Sequence, residues 1–341
     1  MSTSTTGKGS IFVSGTDGDK GVTIVQQLLQ FPQQYKHLSP QVIYAGLPDD
    51  TTPRAKSLQG LGANVVAFDI FNDHAAAVNA LTGVTKLCLL IDPLSERLQK
   101  SRAYHYGKAF IDAAKEANVE HVIFLTPFTP LDAAISNNEP TEKVKYDSYR
   151  SQFMLIESYL HSQFNTNQIT LLRYPGVLHQ HLLVFGKYIA QHNAFPLPNQ
   201  QMEITVESCN MIDIARATAC VAHSPTLRHS KNSYKISSPQ LLTFEEVSER
   251  VLSGLDRENT VNLMDVDTLQ KIIGDSIGND DHAVFLLEMW GMQQKLKGRR
   301  LEITRDLELL TGQSGKTLNE FLKEDGVRDA FLSHIILPKV A

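Results

Sequence analysis

A glycine stands at every third position in Ser14-Gly15-Thr16-Asp17-Gly18-Asp19-Lys20-Gly21. An apolar run at residues 10–14 comes directly before this glycine loop, and a helical pattern at residues 21–30 comes directly after it. Glycine accepts backbone angles that other residues resist, and it allows close approach of the main chain to a phosphate or to a neighbouring element. The order strand, glycine loop, helix therefore predicts a loop whose N–H groups and helix dipole attract a pyrophosphate.

The same stretch leaves one alternative open, which is a glycine turn that binds no ligand. Asp17 and Asp19 add negative charge beside the loop and weigh against a phosphate, whereas Lys20 offsets part of that charge. The position of the loop between a strand and a helix, near the amino terminus, favours the dinucleotide-binding interpretation.

The first half of the chain alternates apolar strand-like runs with helix-length segments. Most of the runs are continuous rather than alternating, which is typical of strands covered on both faces of a parallel sheet. This alternation predicts an α/β fold with a doubly wound parallel sheet, the Rossmann fold. The six predicted strands cover residues 10–14, 41–46, 64–68, 86–91, 121–125 and 168–173.

The pattern changes after Arg173, and we expect a smaller, mainly helical C-terminal lobe. We predict a flexible N-terminus at residues 1–9, an NAD(P)-binding domain at residues 10–175, and a substrate or partner lobe at residues 176–341 with one further sheet strand near residues 234–238. Helical patterns in this lobe cover residues 244–255, 266–273, 281–297 and 318–323. The apolar side chains of the third pattern are expected in the core, with a partner-binding face as the alternative; they are Phe285, Leu286, Met289, Trp290 and Met292.

Composition excludes several classes of protein. The 341 residues carry a net charge of −5 with 42% hydrophobic residues, a globular balance without a basic run, so we expect no direct nucleic-acid partner. The three cysteines, Cys88, Cys209 and Cys220, lie far apart, which fits a reducing compartment. Residues 1–10 lack an apolar segment, and no apolar stretch is long enough to span a bilayer. We therefore expect a cytoplasmic protein away from the membrane, with nuclear access as an alternative.

The ends of the later strands complete the predicted cofactor site. Gly46 stands where a side chain normally reads the adenosine ribose, and Asp69-Ile70 stands where such folds border adenine. Near Gly46, either the carboxylates of Asp49 and Asp50 reach the ribose, or Arg54 and Lys56 reach a 2′-phosphate, or all four form a solvated turn, so NAD and NADP both stay open as cofactors. The predicted cofactor-binding residues are Gly15, Thr16, Asp17, Gly18, Asp19, Lys20, Gly21, Gly46, Asp69, Ile70, Ile91, Tyr174 and Pro175.

An ordered set of segments resembles the NmrA-like family, an atypical branch of the short-chain dehydrogenase/reductases. Each segment alone is weak, but together they run along nearly the whole chain in the family's order. Besides the glycine loop they are residues 62–69, 107–115, 119–124, 172–176, 213–217, 242–247, 311–312 and 316–321. The resemblance implies nicotinamide dinucleotide binding, and it leaves function open because the family includes cofactor-binding regulators as well as reductases.

The resemblance also points to a catalytic position. Short-chain reductases carry a Tyr-x-x-x-Lys pair on the helix after the fifth strand, where the Lys lowers the Tyr pKa for proton transfer. Here Tyr149 stands at the Tyr position, but Phe153 replaces the Lys, and Thr126 stands where a polarising Ser is expected. Tyr149 and Thr126 are thus the candidate catalytic residues, with a core tyrosine and a strand-end threonine as the alternatives. A formal match at Tyr104 and Lys108 lies on the preceding helix, which we place on an outer face of the sheet.

Two functions follow from these residues. The intact glycine loop beside a missing Lys favours a redox-sensing or regulatory NAD(P)(H)-binding protein with a protein partner. The alternative is an NAD(P)H-dependent oxidoreductase acting on a quinone, enone or related carbonyl. His179 and His181 follow Gly176 near the expected nicotinamide end, where a pocket-lining histidine is an alternative to a structural one. No carboxylate or cysteine nearby completes a metal set with them.

Overall fold

The computed structural model describes residues 9–34, 40–95, 98, 102–127, 148–199, 203–295 and 301–333. Except for Gly9, the segment predicted to be flexible lies outside the described residues. The chain forms two compact units: the first is Met1–Arg173 with Ile214–Lys235, and the second is Tyr174–Asp213 with Ile236–Ala341. This division differs from the expected one because residues 214–235 return to the first unit.

The strands are short and number twelve within the described residues. They are β1 (Ser10–Val13), β2 (Val42–Leu47), β3 (Asn64–Ala67), β4 (Lys86–Leu90), β5 (His121–Thr126), β6 (Ile169–Arg173), β7 (Val177–Leu178), β8 (Phe195–Pro198), β9 (Thr205–Cys209), β10 (Ser233–Lys235), β11 (Leu241–Thr243) and β12 (Val261–Met264).

The α-helices alternate with the strands in the first half of the chain and dominate the last third. They are α1 (Asp19–Gln34), α2 (Pro53–Leu61), α3 (His74–Leu81), α4 (Ala103–Glu116), α5 (Tyr149–Gln163), α6 (Gly186–His192), α7 (Met211–His223), α8 (Thr226–His229), α9 (Phe244–Gly254), α10 (Val266–Ile277), α11 (Asp280–Lys295), α12 (Asp306–Thr311), α13 (Leu318–Leu322) and α14 (Val327–Leu332).

The first unit is built on a seven-stranded sheet in the order β10-β6-β5-β4-β1-β2-β3. Every pairing in this sheet is parallel. All residues of β4, β5 and β6 are buried, as continuous apolar runs between two helical layers require, whereas the edge strand β3 is partly exposed. The predicted doubly wound parallel sheet is confirmed, and the six predicted strands begin and end within one residue of the observed ones.

The second unit holds α6, α9 to α14 and two small sheets. One sheet has the order β11-β9-β7, and the other pairs β12 with β8. The sequence did not predict these small sheets, because their strands are short and because β8 contains Pro196 and Pro198, which argue against a strand. The strand expected near residues 234–238 is β10, which pairs with β6 in the first unit.

Helix α11 supplies core residues to the second unit. Phe285, Leu286, Met289 and Trp290 are each at most 4% exposed, which confirms the core interpretation for these four; the side chain of Met292 lies outside the described residues. All three cysteines are buried free thiols. Within the described residues, every helix is too short or too polar to cross a membrane.

Candidate functional site

A pocket lies in the first unit at the carboxyl ends of β1, β2, β3 and β4. It sits at the switch point of the sheet, where β1 is flanked by β2 on one side and β4 on the other. Ligands of open α/β sheets bind at this position. The residues that line the pocket are Gly15, Asp17, Gly46, Leu47, Pro48, Phe68, Asp69, Ile70, Phe71, Asp92, Ser95, Leu98, Arg102, Tyr106 and Phe110.

Two glycines of the loop are required by its own packing. Gly15 has a φ of 65°, in the left-handed region that favours glycine. A Cβ on Gly21 would lie 2.3 Å from the Gly15 carbonyl oxygen and 2.6 Å from the Thr16 Cα, so the first turn of α1 packs directly on the loop. A side chain at either position would force the main chain apart.

The third glycine packs against a buried ion pair. A Cβ on Gly18 would lie 2.3 Å from a carboxylate oxygen of Asp92. Asp92 in turn accepts a bond of 3.3 Å from the Lys20 ammonium, and the side chains of Lys20 and Asp92 are only 2% and 4% exposed. Lys20 therefore links α1 to the segment after β4.

Two main-chain donors of the loop bond within the protein. The Gly15 N–H donates to the Tyr106 hydroxyl at 3.0 Å, and the Gly18 N–H donates to the Gly15 carbonyl at 3.2 Å. In this structure the N–H groups of Gly15 and Gly18 are thus bonded within the protein, and the phosphate-binding role of the loop stays a prediction. Tyr106, from α4, supports the loop from the pocket side.

Carboxylates lie on both sides of the loop. The Ser95 hydroxyl donates to the Asp17 carboxylate, and burial raises the pKa of Asp17 above its ordinary value. Asp19 pairs with Arg54 at 2.8 Å, yet burial is the larger effect and raises the pKa of Asp19 as well. The carboxyl groups of Asp17 and Asp19 are therefore partly shielded from water.

Aromatic rings line another part of the pocket. The Arg102 guanidinium lies 3.7 Å from the centre of the Phe71 ring, and Tyr106 contacts both Phe71 and Phe110. The Asp69 carboxylate accepts from the Asn72 side chain at 2.6 Å and from the Phe71 N–H at 2.9 Å, and the bond from Asn72 is the main reason that the pKa of Asp69 is lowered. The result is an aromatic surface beside a hydrogen-bonded carboxylate and a guanidinium.

Gly46 lines the pocket for a steric reason. A Cβ at this position would lie 2.6 Å from the Phe12 ring, and the Gly46 carbonyl accepts from the Thr16 hydroxyl at 2.8 Å. Phe12 thus fills the space that a ribose-reading side chain would need.

The charged segment after Gly46 lies outside the pocket lining. Asp49 accepts from the N–H and the hydroxyl of Thr51, and Arg54 is paired with Asp19. Asp50 and Lys56 are exposed. Among the three alternatives for this segment, the described contacts favour the solvated turn.

The structure distributes the predicted cofactor residues over both units. Gly15, Asp17, Gly46, Asp69 and Ile70 line the pocket. Thr16, Gly18, Lys20, Gly21 and Ile91 are buried, Asp19 is partly exposed, and Tyr174 and Pro175 belong to the second unit. The binding role of all these residues stays a prediction.

Sequence reasoning missed the contribution of α4 and of the segment after β4. Arg102, Tyr106 and Phe110 recur at intervals of four, which places them on one face at the start of α4. That spacing is a signal that was available. Asp92, two residues beyond the end of β4, could have been found because β4 neighbours β1 at the switch point.

The candidate catalytic residues lie at the end of β5 and the start of α5. Thr126 and Tyr149 are both fully buried. Phe153 is 1% exposed, and its ring stacks on Phe124 of β5 with centroids 6.3 Å apart. Phe153 is therefore a core residue at the position where a catalytic Lys would stand, and the catalytic role of Thr126 and Tyr149 stays a prediction.

The other candidates lie outside the pocket lining. Lys108 pairs with Asp112 at 2.5 Å and lies over the Tyr159 ring, outside the pocket lining. His179 and His181 are buried in the second unit, where burial lowers the pKa of His179 to about 3 and its ring bonds to Ser208 at 3.2 Å. No group of three or more His, Cys, Asp or Glu able to hold a metal occurs in the described part of the chain.

Two features of the pocket are compatible with a dinucleotide. The glycines of the loop and Gly46 let the main chain pack closely at the carboxyl end of β1 and β2, and aromatic side chains line the pocket near Asp69. The main-chain turn at the amino end of α1 is the arrangement that binds a pyrophosphate in such folds. The acidic side chains of the pocket, Asp17, Asp69 and Asp92, give it negative charge.

Comparisons with known proteins agree with this geometry. The family model described as the NmrA-like family matches residues 7–322. A relative from Malbranchea aurantiaca, the NmrA-like family domain-containing oxidoreductase malD, is 31% identical over 122 residues, which cover 35% of this chain and 34% of that protein. The match spans about a third of that relative's length.

Solved structures show the same fold. The NADPH-dependent quinone oxidoreductase QOR2 from Escherichia coli, complexed with NADPH, superposes with a TM-score of 0.68 at 19% identity, covering 92% of this chain and 98% of that one. NmrA, a negative transcriptional regulator, in complex with NADP, superposes with a TM-score of 0.63 at 13% identity, covering 93% and 95%. NmrA in complex with NAD gives a TM-score of 0.65 at 12% identity, with the same coverage.

The cofactor class predicted from the glycine loop is thus the class that these neighbours bind. At sequence identities of 19% and 13%, QOR2 and NmrA show a shared fold alone. The family model, in contrast, matches residues 7–322. The chain belongs to the NmrA-like family.

Proposed function

We propose that this chain binds a nicotinamide dinucleotide, NADP or NAD, in the pocket of its first unit and acts as a redox-sensing regulatory protein. One observation carries the regulatory assignment. Phe153, at the position of the catalytic Lys of short-chain reductases, is packed in the core against Phe124. A site that binds the cofactor without the proton relay suits a protein that reports the cofactor's state to a partner.

We assign different parts of the dinucleotide to different residues of the pocket. The main-chain turn from Gly15 to Gly21 would hold the pyrophosphate at the amino end of α1. The carboxylate of Asp69 and the apolar side chains of Ile70 and Phe71 would border the adenosine. Tyr106 and Thr16 keep the loop in place through the bonds to Gly15 and Gly46.

The chemistry at Tyr149 follows from its neighbour. The bound dinucleotide supplies hydride, and an alcohol–ketone reaction also needs a proton delivered at the substrate oxygen. A tyrosine hydroxyl has an ordinary pKa of about 10, so it needs a nearby cation to transfer its proton readily at neutral pH. Residue 153 lies one turn after Tyr149, where a lysine could serve, and a phenyl ring carries no charge. Phe153 therefore does not supply the cation that assists proton transfer through the tyrosine in short-chain reductases.

A second candidate is an NAD(P)H-dependent oxidoreductase that reduces quinones, enones or related carbonyls. Two observations favour it. The Malbranchea relative is described as an oxidoreductase, and QOR2 reduces quinones with NADPH in the same fold. Quinone reduction depends less on a positioned Tyr–Lys pair, so Phe153 is compatible with it.

The regulatory assignment implies a protein partner, whereas the enzymatic one implies a small substrate. We expect the protein to meet either of them in the cytoplasm, with the nucleus as the alternative. The polar balance and the net charge of −5 argue against direct binding to nucleic acid.

Two measurements test the proposal. Calorimetric titration with NAD, NADH, NADP and NADPH should show binding of at least one form. Turnover of NADH and NADPH is then measured with simple ketones, enones and quinones, using wild type and Tyr149→Phe. We expect no reduction of simple ketones by either protein. Rapid quinone turnover would replace the regulatory assignment by the reductase, and rapid ketone turnover that Tyr149→Phe abolishes would contradict both.

A further inference from the structure

The pocket is strongly acidic for a site that holds a pyrophosphate. Asp17, Asp69 and Asp92 line it, whereas Arg102 is the cationic side chain among its described lining residues. A pyrophosphate brings further negative charge. The carboxylates and the phosphates would repel each other strongly, because water screens charges poorly in a partly buried site.

The cations nearest to the loop are engaged with carboxylates. Lys20 bonds to Asp92 at 3.3 Å with both side chains buried, and Arg54 bonds to Asp19 at 2.8 Å. Moving Lys20 toward a phosphate would leave Asp92 buried without its cation, which is strongly unfavourable. These two pairs therefore do not offset the charge of an incoming pyrophosphate.

Asp17 is the acidic group that belongs to the loop itself. It lies between Gly15 and Gly18, lines the pocket, and accepts from the Ser95 hydroxyl. Groups from every neighbouring element face it. Arg54 of α2, Asp92 and Ser95 after β4, and Tyr106 of α4 interact with Asp17. Arg102 lines the same pocket, and Asp19 and Lys20 follow Asp17 closely in the sequence.

We propose that Asp17 sets the affinity of this chain for its dinucleotide, and that its carboxyl group takes up one proton when the pyrophosphate enters the loop. In the neutral form Asp17 no longer repels the phosphate, and its O–H can donate to a phosphate oxygen. Of the three carboxyls closest to the loop, Asp19 and Asp92 form described ion pairs with Arg54 and Lys20, whereas Asp17 accepts from the neutral Ser95 hydroxyl. Asp69, on the β3 side of the pocket, is held by bonds from Asn72 and from the Phe71 N–H. This inference rests on the proposed dinucleotide binding.

The direction of the pH dependence follows from linkage. Burial already raises the pKa of Asp17 in the ligand-free protein, and a phosphate beside it raises that pKa further. Between these two pKa values the complex holds a proton that the ligand-free protein has lost. Affinity therefore falls as the pH rises through this window, by up to about tenfold per pH unit.

The experiment is calorimetric titration of the full chain with NADH at several pH values from about 5 to about 8. Each pH is measured in two buffers with different ionisation enthalpies, which gives the number of protons taken up. NADH is the first probe because the 2′-phosphate of NADPH itself titrates near pH ~6. The variants are Asp17→Asn, which keeps the shape of the side chain, and Glu116→Gln, which removes an exposed carboxylate at the far end of α4.

We expect wild type and Glu116→Gln to take up a proton on binding and to lose affinity with rising pH. Asp17→Asn should take up none, should bind with a pH-independent Kd, and should bind at least about tenfold more tightly than wild type near pH 8. Equal pH dependence in wild type and Asp17→Asn, or no proton uptake by wild type, would overturn the inference.

The outcomes separate this inference from the proposed function. Binding without proton uptake leaves dinucleotide binding intact and removes only the role of Asp17. If NADH does not bind, the same series is run with NADPH, and the difference between wild type and Asp17→Asn isolates Asp17 from the 2′-phosphate. If neither dinucleotide binds to folded wild type or to folded Asp17→Asn at any pH, dinucleotide binding itself is contradicted, whereas binding by wild type alone overturns only the inference about Asp17. Melting curves of both variants establish that they fold.

Discussion

At the scale of single residues, glycines of this chain differ in what a side chain would meet. A Cβ on Gly21 would lie 2.3 Å from the main-chain oxygen of Gly15, whereas a Cβ on Gly60, inside α2, has no atom within 4 Å. A main-chain neighbour cannot rotate away as a side chain can. The two positions therefore form a matched pair for testing the glycine loop.

We predict that Gly21→Ala abolishes dinucleotide binding and lowers the melting temperature, because the first turn of α1 must move off the loop. Gly60→Ala should keep the affinity and raise the stability by up to about 1 kcal/mol, since alanine favours a helix over glycine. Titration and thermal unfolding of both variants provide the measurement. Unchanged dinucleotide affinity in a folded Gly21→Ala protein would contradict the assignment of the glycine loop to pyrophosphate binding.

Phe153 permits a second prediction at this scale. Phe153→Lys places an ammonium where the phenyl ring is 1% exposed and stacked on Phe124, so a buried charge replaces core packing. We expect destabilisation of about 3–5 kcal/mol, comparable to emptying the site, and no gain of ketone reduction. Leu227→Lys, at a side chain that is 84% exposed, should change stability by less than about 0.5 kcal/mol.

Denaturant unfolding of the two lysine variants compares these effects directly. A stable Phe153→Lys protein that reduces simple ketones would show that the core at this position accepts the ammonium. In that case the substitution of Lys by Phe would be what keeps wild type from ordinary dehydrogenase activity.

At the scale of elements, the amino ends of β5 and β6 meet α8 in a buried polar network. The His121 ring bonds to the Thr170 hydroxyl at 2.8 Å, and Thr170 donates to the His229 carbonyl at 2.8 Å. His121 is fully buried, and mainly for that reason its pKa is lowered from 6.5 to about 3. The network therefore holds a neutral imidazole across most of the acidic range.

The sign of the pH effect follows from these values. Between pH 6.5 and about 3 the unfolded chain protonates residue 121 and the folded chain does not, so stability falls as the pH falls through this window. We predict that His121→Gln reduces this loss while His105→Gln, at an exposed position of α4, leaves it unchanged. Denaturant unfolding at several acidic pH values measures how the free energy of unfolding of each variant changes with pH. An unaltered pH slope in His121→Gln would exclude a neutral His121 as its cause.

At the scale of the whole molecule, the chain divides into two units, and the pocket is built by residues of the first alone. A ligand that binds only the folded state adds about 2.7 kcal/mol at a hundredfold excess over its Kd. For a unit of this size that corresponds to a rise of about 5–10 °C in melting temperature. We therefore predict that a saturating dinucleotide shifts the unfolding of the first unit.

Differential scanning calorimetry with and without NADP(H) and NAD(H) measures this shift. Gly21→Ala is the control, and its transitions should stay where they are when ligand is added. A wild-type protein whose melting temperature does not respond to any of the four forms would favour a scaffold without a ligand.

Much of the first unit could be predicted from the sequence because its signals are local. Continuous apolar runs mark strands buried on both faces, so β1 to β6 were found to within one residue, and the spacing of Gly15, Gly18 and Gly21 marks the loop between β1 and α1. The short strands β8 and β12 carry no such signal, since their pairing comes from tertiary contact.

The details of the site depend on partners that are distant along the chain. The Lys20 ammonium donates to Asp92, which is 72 residues away in the sequence. The Gly15 N–H donates to the Tyr106 hydroxyl, which is 91 residues away. Phe12 fills the space above Gly46. The sequence by itself determined the fold and the place of the loop, because strand and turn preferences act over a few residues. Only the tertiary structure decided which charges of the loop are paired, since pairing depends on which distant side chains the folded sheet brings within bonding distance.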